Sequence, residues 1–220
     1  GVLLPKEFIE VAEDMGLILP IGEYVLRKAC AQVKLWRESV NPEFWVSVNI
    51  SARQFQDYNL VEKVSGILVE TGLPSDALRL EISEKLAIRD MKHSIQIMKR
   101  FNELGVRTSL DDFGTGFSSL SYLKQFPLKV LKIDRSFVQD IRLDQKNESL
   151  VKAIIAMARC FDLEVVAEGV ERDDQLEFLH ENLCDNVQGF LMERPVSGEE
   201  MTQLLLNKMP ASTFTTTRTS

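Results

Sequence analysis

Apolar and polar positions follow two alternating rhythms along the 220-residue chain. Phe8, Ile9, Val11 and Ala12 form a helical stripe that opens near Pro5 and closes at Gly16, and Tyr24, Val25, Leu26, Ala29 and Val33 line one side of a second helix over 21–36. The period then drops to two. Val46, Val48 and Ile50 alternate with Trp45, Ser47 and Asn49, which predicts a strand over 44–50. By the same criteria strands are predicted over 78–82, 107–111, 130–133, 164–167 and 186–190. Helices are predicted between and after them, over 60–71, 91–104, 118–126, 149–161, 174–182 and 198–206.

Strands that alternate with helices imply an α/β chain with a parallel sheet and helices outside it. The polar residues fall in a pattern of their own. Asn49, Glu81, Asp111, Lys132, Glu168 and Gln188 each stand at or near the C-terminal end of a different apolar strand. In a β/α barrel those ends meet on one face, where active sites form, whereas an open doubly wound sheet would gather only some of them at a crevice. The pattern therefore favours a TIM-type barrel. About six strands are legible where such a barrel has eight, as expected for a chain that lacks the first strands.

Composition narrows the function. The chain is 45% apolar and 27% charged, with a formal net charge of −7 and no long basic run, which argues against binding the nucleic-acid backbone. Cys30, Cys160 and Cys184 are far apart in sequence, without metal-ligand spacing, and read as reduced, mostly buried thiols of a cytoplasmic domain. No apolar run is long enough to span a membrane. The chain begins at Gly1 and reads as a piece of something longer, with one domain over 1–209 and a Thr/Ser-rich disordered tail over 210–220.

The candidate chemistry centres on Ser109-Leu110-Asp111-Asp112-Phe113-Gly114-Thr115-Gly116-Phe117-Ser118-Ser119-Leu120. Adjacent carboxylates repel unless cations neutralise them, and the glycines allow a sharp turn directly after them. Asn49 offers a hard amide oxygen, or else caps the following helix. Glu81 interrupts an apolar strand and needs a cation, either a metal ion or an arginine such as Arg79 or Arg107. Lys132 also interrupts an apolar strand. It could hold or deprotonate a water near metal ions, or pair with Asp134 or Glu168. Glu168 and Glu171 bracket Gly169, and the Gln188 amide could read a purine edge or bond within its loop. His93 and His180 lie in helical patterns and read as surface or interface residues. Carboxylates, amide oxygens and one lysine make a set suited to two hard cations and in-line attack of water on a phosphodiester.

From Gly1 to about Leu206 the chain resembles the EAL domain family of cyclic di-GMP phosphodiesterases. The resemblance rests on the Pro5-to-Gly16 entry, Val48-Asn49-Ile50-Ser51, Glu81-Ile82-Ser83-Glu84, Asp111-Asp112-Phe113-Gly114-Thr115-Gly116, Lys132-Ile133-Asp134, Ala167-Glu168-Gly169-Val170-Glu171 and Gln188-Gly189, in order. It implies a modified TIM-type β/α barrel, the EAL fold, lacking its first strands in this chain. It implies hydrolysis of cyclic di-GMP to linear pGpG. Asn49, Glu81, Asp111 and Asp112 would be ligands of a two-ion Mg²⁺ or Mn²⁺ site, and Lys132 and Glu168 would position and activate the attacking water. Asp134, Glu171 and Gln188 would lie around the substrate, and Glu84 would steady the Asp112–Ser119 loop. By the same resemblance two copies would pair near that loop, and sensor or cyclase domains would precede this one in the parent protein.

Two departures from the family pattern are local: Ser83 stands where threonine is common, and Lys85 where a small hydroxyl residue is common. By the resemblance, the Glu-Ala-Leu segment that names the family, whose Glu is a metal ligand, would lie roughly ten residues before Gly1, at the end of the first parallel strand at the usual strand length, so the chain as written is expected to turn over little substrate. The competing reading is a catalytically impaired domain that serves as a cyclic di-GMP receptor. Retention of the Asp111–Asp112 pair and Lys132 favours the enzyme.

Overall fold

A computed structural model describes residues 5–116 and 120–208. The expected tail over 210–220 and the Phe117–Ser119 part of the acidic loop lie outside the described residues. The described residues fall into two compact units, one holding 5–110 and 120–128, the other 111–116 and 129–208.

The first unit contains α1 (Pro5–Asp14), α2 (Ile18–Ser39), β1 (Val46–Asn49), α3 (Ala52–Phe55), α4 (Leu60–Thr71), β2 (Leu78–Ser83), α5 (Glu84–Arg89), α6 (Met91–Leu104), the beginning of β3 (Arg107–Phe113) and α7 (Leu120–Leu123). β1 and β2 are parallel, with Val46 opposite Leu78 and Asn49 opposite Glu81. The core is built from Leu26, Phe55, Leu78, Leu80, Ile82, Met98, Phe101 and Leu110, all at most 2% exposed. α4 and α6 end at Gly72 (φ +68°) and Gly105 (φ +88°), the left-handed caps expected where a helix must turn back into a strand. On α2 the buried positions are Ile18, Leu26, Cys30 and Val33, spaced by whole turns. Tyr24 and Val25, expected on the same side from the sequence, are exposed because they lie off that spacing.

The second unit contains the end of β3, then β4 (Val130–Ile133), α8 (Arg135–Gln139), α9 (Gln145–Cys160), β5 (Glu164–Glu168), α10 (Asp173–Glu181), β6 (Asn186–Gln188) and α11 (Gly198–Lys208). β4 pairs in parallel with β5, and β5 with β6. All four residues of β4 are buried, as a strand covered on both faces requires. Leu131, Ile133, Ile141, Val165, Ala167 and Phe178 form the core at 0% exposure. α9 starts at Gln145, four residues before the apolar stripe predicts, because the Asp144 side chain accepts from Lys146 N–H and caps it.

The strand order β1-β2-β3-β4-β5-β6 follows the chain, as a βα repeat predicts. Two strands are shorter than their apolar runs. Phe44 and Trp45 stay outside β1; the Phe44 carbonyl accepts from the Arg37 guanidinium at 2.6 Å, and the Arg79 guanidinium stacks on Trp45 at 3.5 Å. β6 stops at Gln188 because Gly189 passes tightly over the backbone of Val170: a Cβ there would lie 2.1 Å from the Val170 carbonyl oxygen. Val170 N–H donates to the Gln188 carbonyl at 3.1 Å, and Leu191 N–H to the Val170 carbonyl at 3.0 Å.

Candidate active site

Each sequence-predicted site residue sits near a strand end or in the first residues after it. In the first unit Asn49 and Glu81 are register partners at the C-terminal ends of β1 and β2, and Ile50 N–H donates to the Glu81 carbonyl at 2.9 Å. Asn49 is exposed and Glu81 is buried. Asn49 is not needed as a helix cap. Ser51 caps α3 in a reciprocal box with Gln54, each satisfying an N–H of the other. Glu84 is buried at the start of α5. His93 places Nε2 2.9 Å from the Phe55 carbonyl and meets the rings of Phe55 and Tyr58 edge-on, so it braces the start of α6. His180 lies in the last turn of α10 and is exposed.

In the second unit the end of β3 delivers Asp111 and Asp112. Asp112 takes a left-handed backbone (φ +56°), its N–H donates to Asp111 Oδ1 at 3.0 Å, and its carbonyl accepts from the Thr115 hydroxyl at 2.9 Å. Gly114 continues the turn at φ +98°, and a Cβ there would lie 2.7 Å from the Phe137 ring. The turn after the two carboxylates is thus held by Thr115 from within and by Phe137 from α8.

Lys132 is 3% exposed on β4. Its Nζ lies 2.5 Å from Glu168 Oε1 and 3.5 Å from Asp111 Oδ1. The strand register explains the meeting: Lys132 is opposite Val166, and Glu168 follows two residues on, along the same face of β5. One carboxylate oxygen from each of Asp111, Asp112 and Glu168 lies within 4.8 Å of the others. Three hard oxygen donors so close together fit a magnesium- or manganese-type ion by ligand chemistry.

The remaining residues lie on or just after β4, β5 and β6. Asp134 caps α8, its Oδ1 accepting from Ser136 N–H at 2.9 Å and from the Ser136 hydroxyl. Gln188 is opposite Glu168 in the β5–β6 register and is exposed. Glu171 is exposed, with its N–H bonded to Gln175 Oε1 at 2.8 Å, and the buried Gln175 amide in turn donates to the Val138 carbonyl at 3.1 Å. Sequence reading missed Phe137 and Gln175, which position the acidic loop and the segment after β5. Phe137 lies in a five-residue helix, too short to show a period.

Comparisons with known proteins place this geometry in a family. The EAL domain family model matches residues 1–195. The chain is 42% identical over 201 residues to the bifunctional diguanylate cyclase/cyclic di-GMP phosphodiesterase MucR of Pseudomonas aeruginosa, covering 91% of this chain and 29% of MucR. It is 43% identical over 196 residues to the cyclic di-GMP phosphodiesterase NbdA of the same organism, covering 89% of this chain and 25% of NbdA. The signaling protein YkoW of Bacillus subtilis is 43% identical over 204 residues, covering 93% of this chain and 25% of YkoW. The chain thus spans between a quarter and a third of each of these relatives. Among solved structures, the MucR phosphodiesterase in complex with c-di-GMP superposes with a TM-score of 0.88 at 42% identity, over 91% of this chain and 81% of that one. The EAL domain of Mycobacterium smegmatis DcpA gives 0.81 at 39% identity, over 86% of each chain. Strand-end carboxylates, a buried lysine among them and these matches over most of its length make the chain a member of the EAL domain family.

Proposed function

We propose that this domain hydrolyses cyclic di-GMP to linear pGpG with the help of Mg²⁺ or Mn²⁺. The observation that carries this reading is the cluster of Asp111, Asp112 and Glu168 around the buried Lys132. Asp111 and Asp112 would hold the hard cation, and the family resemblance adds Asn49 and Glu81 to the ligand set. Bound there, such ions would supply Lewis acidity and make an attacking water easier to deprotonate. Glu168, hydrogen-bonded to Lys132, takes a proton from the attacking water, and the Lys132 ammonium orients that water and offsets the charge of the carboxylates. Water adds to phosphorus, the bond from phosphorus to the 3′ oxygen breaks, that oxygen takes up a proton from solvent to become the 3′ hydroxyl, and one ring opening gives a 5′-phosphorylated dinucleotide. Asp134, Glu171 and Gln188 face the substrate, and Glu84 steadies the acidic loop.

Two further parts of the reading rest on the family. Two copies pair beside the Asp112–Ser119 loop, and sensor or cyclase modules share the polypeptide, as the bifunctional name of MucR suggests. Among the described residues no helix is long and apolar enough to cross a membrane, and the domain is proposed to act in the cytoplasm.

The test is chromatography of cyclic di-GMP incubated with the protein, expressed as its gene encodes it, in Mg²⁺, Mn²⁺, Ca²⁺ or EDTA. The reading requires pGpG in Mg²⁺ or Mn²⁺ and none in EDTA. Tight binding without pGpG in any metal would make the domain a receptor instead.

A further inference from the structure

An acidic cluster poses a problem for an anionic substrate. Each phosphodiester of a cyclic dinucleotide carries a negative charge, and Asp111, Asp112, Asp134, Glu168 and Glu171 all stand at or just beyond the ends of β3, β4 and β5. Lys132 cannot serve the substrate freely, since it is 3% exposed and engaged with Glu168 and Asp111. The next cation along the chain is Arg135, three residues on, where β4 has given way to α8.

Arg135 has two unusual properties. Its stem is fixed against the backbone directly after Glu168: a Cβ on Gly169 would lie 2.6 Å from the Arg135 Cβ and 3.4 Å from its Cα. Gly169 itself takes φ +72°, so this close approach depends on glycine twice over. Yet Arg135 is exposed, and its guanidinium makes no hydrogen bond or ion pair among the described residues. In the same unit Arg142, Arg159 and Arg172 all have such partners. A side chain whose base is fixed beside the cluster and whose charged end is uncommitted fits a phosphate ligand, because a planar guanidinium can bond a phosphate through two N–H groups at once.

We propose that Arg135 is a substrate-binding residue that takes a phosphate of the cyclic dinucleotide at the rim of the acidic site. The proposal rests on the functional reading above. It adds an organic cation that neutralises substrate charge without being a metal ligand.

The test is calorimetric binding of cyclic di-GMP in Ca²⁺, together with pGpG kinetics in Mn²⁺, for wild type, Arg135→Ala, Arg135→Lys and Lys129→Ala. Lys129 is exposed and stands just before β4, at the opposite end of that strand, so its loss matches the change in net charge. A charge-assisted contact predicts a Kd raised about tenfold to a hundredfold in Arg135→Ala. Turnover at saturation should change by less than about threefold, the mark of lost uniform binding. Arg135→Lys should recover part of the affinity, and binding by Arg135→Ala should fall less steeply with added salt than binding by wild type. If wild type binds and hydrolyses while Arg135→Ala matches Lys129→Ala in Kd and salt dependence, the proposal is wrong and the functional reading stands. If wild type neither binds nor hydrolyses cyclic di-GMP, both fail together.

Discussion

Lys132 reaches Glu168 at 2.5 Å from within a strand on which every residue is buried. The contact follows from a register in which Glu168 lies two residues beyond the partner of Lys132. A lysine in that position is costly unless carboxylates surround it, and those carboxylates repel one another unless a cation joins them. Each side of the arrangement therefore depends on the other, and in the proposed mechanism a metal ion and the lysine would share the work of neutralising the cluster.

That shared role makes Lys132→Ala informative in two readouts. Without the ammonium, Asp111, Asp112 and Glu168 face each other with one cation fewer, so the apparent melting temperature in EDTA should drop. Mn²⁺ should raise it more in the variant than in wild type, since an ion that binds only the folded state stabilises by mass action. Turnover should fall about 10²- to 10⁴-fold, the range for loss of proton-transfer catalysis, because the water that Glu168 deprotonates is no longer oriented, while the affinity for cyclic di-GMP in Ca²⁺ stays near wild type. A large loss of affinity with turnover intact would make Lys132 a substrate ligand rather than a participant in the chemistry.

Gly114 tests how the acidic turn is held. Its φ of +98° and the 2.7 Å approach that a Cβ would make to the Phe137 ring are separate obstacles to any side chain. Gly114→Ala should lose about 1–2 kcal/mol from the backbone and about 1–3 kcal/mol from the overlap. It should also weaken Mn²⁺ binding measured by calorimetry. Adding Phe137→Leu should return the overlap part and leave the backbone part. If Gly114→Ala melts and binds Mn²⁺ like wild type, Phe137 does not position the turn.

The thiols give a pH test. Burial pushes the Cys184 thiol from 9.0 up to about 12, and Cys30 up to about 11. Cys160 is exposed at the end of α9, the exception among the mostly buried thiols that the sequence predicts. At pH 8 a disulfide reagent should label one thiol quickly, and Cys160→Ser should abolish that fast phase. Because the unfolded chain releases these protons near pH 9 while the folded chain holds them, the stability from burying Cys184 is fully present below pH 9. It is lost as the pH rises through about 12. Replacing Cys184 with alanine should flatten stability between those limits, measured by urea melts. Rapid labelling of Cys184 at pH 8 would show that its pocket is open.

Much of this architecture was legible in the sequence because strands and helices carry different apolar periods. All six predicted strands are present among the described residues, and the polar interruptions Glu81 and Lys132 mark strand positions where burial demands a partner. Element ends were less legible. β6 stops early because Gly189 crosses the Val170 backbone, a contact between segments almost twenty residues apart in sequence. The helices α3, α5 and α8 escaped notice because one or two turns show no period. Within the site, the pairing of Lys132 with Glu168 was one of two alternatives in the sequence, and register decides between them in favour of Glu168 over Asp134, whose side chain caps α8 instead. The roles of Phe137 and Arg135 were not legible, since each depends on a glycine elsewhere in the chain that only the fold brings near.

The most direct measurement is pGpG release by Asp111→Asn against wild type across a Mn²⁺ titration, with circular dichroism on the same samples. The substitution keeps the shape of the side chain and removes the charge that lies 3.5 Å from Lys132 and within 4.8 Å of Asp112 and Glu168. Turnover should fall by at least about 10²-fold, on the order of an essential charge in a metal-assisted site, with the spectrum unchanged. A variant that releases pGpG at the wild-type rate, with the same dependence on Mn²⁺, would remove Asp111 from the metal site and contradict the mechanism.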